Sequence, residues 1–176
     1  GYFVREASRH AWFDDTLFVI VADHGARVYG RAEIPVESYR IPMVLYSPKH
    51  IAPGVEEGLA TQVDVAPTVL GLLGLPYEAP FFGQDALHTP PERRVAFFSH
   101  NHDVALLRDG RLAILGLHKS VEAAAFDPVS AGYGPAPREP ELESLAIAYY
   151  QTAYELFRAG RYVLPGKGAT RVAASR

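Results

Sequence analysis

The 176-residue chain contains no cysteine. That excludes disulfides, a thiolate nucleophile and a cysteine-ligated zinc site, and it leaves the compartment open. No apolar run approaches the roughly 20 residues that cross a bilayer. No basic stretch followed by an apolar one stands at the start, so no signal peptide is visible. There is no initiator Met either. The chain opens GYFVREASRH, which reads as a helix already under way, and a preceding part of the protein is expected. Charge of one sign is lacking too: 17 basic against 20 acidic residues gives a net −3, with no Lys/Arg-rich run. Nucleic acid is therefore not an expected partner.

What is present favours a folded domain. Hydrophobic residues make up 48% and aromatics 11%, above the composition of disordered chains, and the length suffices for one sizeable core. Residues 2–13 read as a helix and Asp14–Thr16 as a turn. Leu17 to Ala22 is a short β-branched run, which fits a strand buried on both faces of a parallel sheet. Residues 26–40 read as loop. Ile41 to Ser47 reads as a second strand, with Pro42 near its start. Residues 64–75 read as a helix capped by Asp64, with Pro67 in the first turn. Val65, Val69, Leu72 and Leu73 would form its apolar face, and Gly74 would close it.

Residues 76–92 read as a packed loop rich in proline and aromatics. Apolar runs at 95–98, 104–107 and 112–115, separated by SHNHD and RDGR, predict an antiparallel meander with a hairpin at Asp109-Gly110. Leu142, Leu145, Ala146, Tyr149, Ala153, Leu156 and Phe157 follow helical spacing. The organisation expected is a core over 1–90, a meander over 91–126, a linker over 127–140, a helix over 141–164 and a frayed tail over 165–176. The fold class expected is α/β: a parallel or mixed sheet core, then a small antiparallel meander, then a C-terminal helix.

Chemistry points to one place. In open α/β sheets ligands bind beyond the carboxyl ends of the strands, and Asp23-His24-Gly25 stands there. A carboxylate oxygen and an imidazole nitrogen suit Zn or Mn, whereas an all-oxygen set would favour Ca or Mg. Two ligands are too few for a catalytic metal. A turn capped by Asp23, with His24 packed over it, uses the same residues. His100, Asn101, His102 and Asp103 form a second polar cluster, expected to fringe solvent at a hairpin. His10, His50, His88 and His118 show no partner at ligand spacing. Ser47, Thr61, Thr68 and Ser99 lie near strand ends or loops, but none sits in a nucleophile elbow. Thr68 is expected to bond back to its own helix. No catalytic nucleophile is identified.

Four segments in order, FVIVADHG, SYRIPMVLYSPKHI, TQVDVAPTVLGLLGLP and FFGQDAL, resemble the C-terminal half of the sulfatase-like branch of the alkaline phosphatase superfamily. Within it the chain looks most like the lipoteichoic acid synthase and phosphoglycerol transferase group. YYQTAYELFRAGRY also looks like the tail of some phosphoglycerol transferases. The resemblance implies an α/β/α fold, a divalent metal with Asp23 and His24 among its ligands, and a nucleophile and first acidic ligand upstream of these residues. It implies transfer or hydrolysis of a phosphate or sulfate ester on a lipid headgroup or glycan, a membrane anchor upstream, and a catalytic domain outside the cytoplasm. Sulfatases often carry Asp-Asn where this chain has Asp-His, which tilts the reading toward phosphotransfer. Arg27, Tyr29 and Glu33 would lie at the rim of the site, where Arg27 suits an anionic headgroup. Asp64 is read as a helix cap and not as a ligand. Alone, these residues would be catalytically silent. A non-catalytic scaffold or binding domain is the reading of another class.

Overall fold

A computed structural model describes residues 1–26 and 32–162. Two compact units divide the chain, Gly1–Glu57 and Gly58–Arg176.

In the first unit, helix α1 covers Tyr2–Ala7 and a 3-10 turn covers Ala11–Asp15. The helix expected over 2–13 therefore breaks midway. The Ser8 hydroxyl donates to the Arg5 carbonyl, and His10 takes an extended conformation. A hydroxyl that bonds its own backbone competes with the helix ladder. The break serves packing, because it turns Phe13 inward. Phe13, Phe18 and Tyr46 then meet with ring centroids 5.4–6.2 Å apart.

Strand β1 (Phe18–Val21) pairs with β2 (Met43–Tyr46), and Phe18 faces Tyr46 across the pair. The pairing is antiparallel, against the parallel arrangement expected. Nor is β1 buried on both faces: Ile20 and its cross-strand partner Val44 are 52% and 47% exposed. A two-stranded ribbon cannot cover both of its faces with its own strands. Its apolar run is nonetheless the one expected of a strand with neighbours on each side.

The second unit begins with a 3-10 turn at Gln62–Asp64 and helix α2 (Val65–Leu72). Asp64 does more than cap. Its buried carboxylate accepts from the Thr61 amide (2.7 Å) and hydroxyl (2.8 Å), and from the Gln84 amide (2.7 Å). It thereby ties the start of the helix to the loop that follows it. Thr68 also departs from expectation: its hydroxyl accepts from the Ala86 amide at 2.9 Å rather than bonding within its helix. The buried residues of α2 are accordingly Pro67 and Thr68, next to its buried N-cap Asp64, while Leu73, expected on that face, is exposed. Gly74 closes the helix as expected, at positive φ, with Leu75 N–H donating to the Leu70 carbonyl and Gly74 N–H to that of Gly71.

A five-stranded antiparallel meander follows in sequential order: β3 (Ala96–His100), β4 (Asp103–Arg108), β5 (Arg111–Leu115), β6 (Val121–Asp127) and β7 (Gly132–Pro135). The expected turn at Asp109-Gly110 has both residues at positive φ, as a type I′ hairpin requires. The last strand was expected to be linker. The Ala-rich run of β6 and the glycines of β7 carry little strand signal, and the turn between them is set by the Asp127 carboxylate, which accepts from Val129 N–H and the Ser130 hydroxyl.

Helix α3 (Pro140–Arg158) lies on this sheet. Leu106, Ala113, Leu142 and Ala146 form the buried cluster, with Leu145 and Tyr149 packed around it. The helix ends at Arg158, and Gly160 follows it at φ 63°. Phe157, expected inward, is exposed. Residues 163–176, and with them the expected tail, lie outside the described residues. No helix among those described is long and apolar enough to cross a membrane.

Candidate metal centre

The β ladder continues one residue past β1, where Ala22 N–H donates to the Pro42 carbonyl. The chain then leaves the sheet, and Asp23 and His24 stand at its end, with side chains 89% and 83% exposed. Asp23 Oδ1 accepts from the His24 backbone N–H at 3.0 Å. His24 Nδ1 lies 3.0 Å from the Gly25 carbonyl oxygen. A carbonyl only accepts, so this contact puts the proton on Nδ1 and the lone pair on Nε2. Nε2 lies 3.7 Å from Asp23 Oδ2.

Those two atoms suit one cation. Metal–ligand bonds of about 2.0–2.2 Å at a tetrahedral angle put donors about 3.4 Å apart. The observed spacing needs only a small rotamer adjustment to meet it. The backbone carbonyl on Nδ1 is also the kind of partner that fixes the tautomer of ligating histidines. A third ligand does not join: no group of three or more His, Asp or Glu forms among the described residues.

Gly25 explains how the pair is held. A Cβ built on it would stand 2.3 Å from the Ser38 carbonyl oxygen and 2.9 Å from that of Arg40. The backbone after His24 thus lies flat against the 3-10 turn Val36–Tyr39, which the loop reading of 26–40 did not anticipate. Val36 and Ile34 are buried and anchor that turn. Partial burial raises the pKa of the Tyr39 phenol above its ordinary value.

Other candidates fall elsewhere. Arg27 and Tyr29 lie outside the described residues, and Glu33 is exposed. His100 to Asp103 form the β3–β4 turn, with Asn101 and His102 exposed, as expected of a solvated hairpin. Ser47 and Thr68 are buried. His88, for which no partner was expected, does have one: Nδ1 lies 2.8 Å from Asp85 Oδ2. Asp85-x-x-His88 spacing, where Oδ1 also accepts the Leu87 amide, was the signal. His50 Nε2 bonds the Asp14 carbonyl at 3.0 Å.

Comparison with known proteins bears on this site. Residues 1–75 match the Sulfatase family. Over 70 residues the chain is 37% identical to the multifunctional alkaline phosphatase superfamily protein PehA of Trinickia caryophylli, covering 35% of this chain and 13% of that protein. A crystal structure of a protein in the alkaline phosphatase superfamily from Vibrio parahaemolyticus is similar with a TM-score of 0.85 and 27% identity. That match covers 93% of this chain and 40% of that one. These matches support the alkaline phosphatase superfamily.

The expected α/β class, with its antiparallel meander and C-terminal helix, is borne out by the structural match to that superfamily. Its members are typically metal-dependent enzymes, and the Sulfatase match contains Asp23, His24 and Gly25. This chain spans well under half the length of either superfamily relative.

Proposed function

We propose that Asp23 and His24 are two ligands of a divalent metal in an enzyme that transfers or hydrolyses a phosphate or sulfate ester. The observation that carries this reading is the 3.7 Å spacing of Asp23 Oδ2 and His24 Nε2 beyond a strand end. The superfamily supports it. A bound divalent cation would supply Lewis-acid polarisation of the nucleophile and of the transferring group. Zn or Mn suits a mixed oxygen and nitrogen set better than Ca or Mg.

The roles of the chain's own residues follow from their contacts. Asp23 contributes negative charge beside His24, which favours a cation there. The Gly25 carbonyl holds the His24 ring with Nε2 turned toward Asp23 Oδ2. Gly25 holds both against the Ser38–Arg40 backbone. Arg27 would contact the anionic group of the substrate. The nucleophile and the remaining ligands would come from sequence outside these residues, so the 176-residue chain alone would be silent.

Within this class the reading is a phosphoglycerol transferase-like enzyme working through a covalent intermediate on a lipid headgroup or glycan. Such an enzyme would be membrane-anchored with its catalytic domain outside the cytoplasm. Asp-His in place of Asp-Asn supports phosphotransfer. The match to the Sulfatase family favours a second reading, hydrolysis of sulfate or phosphate esters. Parallel assays of the full-length protein with an aryl phosphodiester, an aryl sulfate and a phosphoglycerol-bearing lipid separate the two. Transfer to an acceptor in the lipid assay supports the first. Release to water with either aryl ester, and no transfer, supports the second.

A further inference from the structure

We draw no further inference here: the strongest candidate, the exposed outer face of helix α3 formed by Ile147, Tyr150, Tyr154 and Phe157, carries nothing, because nothing in the structure shows what covers it.

Discussion

Gly25 lies against Ser38 so closely that a Cβ on it would stand 2.3 Å from the Ser38 carbonyl oxygen. Neither neighbour is a flexible side chain, so the backbone itself must give way. Gly25→Ala should cost about 1–3 kcal/mol through overpacking. It should also swing Asp23 and His24 apart and lower metal affinity of the full-length protein by about 10–100-fold, the size of a lost supporting contact. Thermal melts and metal titration read the two effects. An alanine variant with unchanged metal affinity would detach Gly25 from the site.

Asp64 holds three donors with one carboxylate, away from water. Asp64→Ala should destabilise the chain by about 3 kcal/mol or more, since each buried donor left unmade costs about 1–3 kcal/mol. Denaturant unfolding measures it. A loss under about 0.5 kcal/mol, the scale of a surface substitution, would show that water replaces the carboxylate there.

Leu142 anchors α3 on the meander. Leu142→Ala should cost about 2–5 kcal/mol, whereas Ile147→Ala, at a 40% exposed position, should cost much less. Equal losses would mean the two faces of α3 are misassigned.

Glu143 and Arg138 form a two-pronged ion pair, with both contacts at 2.7 Å. The guanidinium holds the Glu143 carboxyl below its ordinary pKa, chiefly by hydrogen bonding. A depressed carboxylate stabilises the fold above its unfolded pKa of about 4.3 and stops doing so as pH falls through the lower folded value. The melting gap between wild type and Glu143→Gln should therefore be widest near neutral pH and close below about pH 4. A gap independent of pH would contradict the ion pair.

How much of this was legible in the sequence depends on the range of the interactions. The first two strands, α2, the hairpin at Asp109-Gly110 and α3 were readable because periodicity, caps and turn residues are local signals. Strand β7 was not, since glycine and proline say linker until a neighbouring strand pairs with them. The antiparallel pairing of β1 with β2 was not legible, because an apolar run carries no signal of strand direction. At the site, Asp23 and His24 stood out through their place at a strand end. The contact of Gly25 with Ser38 spans thirteen residues, and the Asp64 bond to Gln84 spans twenty. Neither leaves a mark on neighbouring sequence.

Metal-dependent turnover of an aryl phosphodiester by the full-length protein, wild type against Asp23→Ala and His24→Ala, tests the metal site most directly. Each variant should lose more than about 100-fold in kcat/KM, beyond the loss from a supporting contact. Each should also retain less metal after dialysis, with the melting of the metal-free 176-residue chain unchanged because both side chains are exposed in it. Variants that turn over at the wild-type rate with full metal content would contradict the assignment of Asp23 and His24 as ligands.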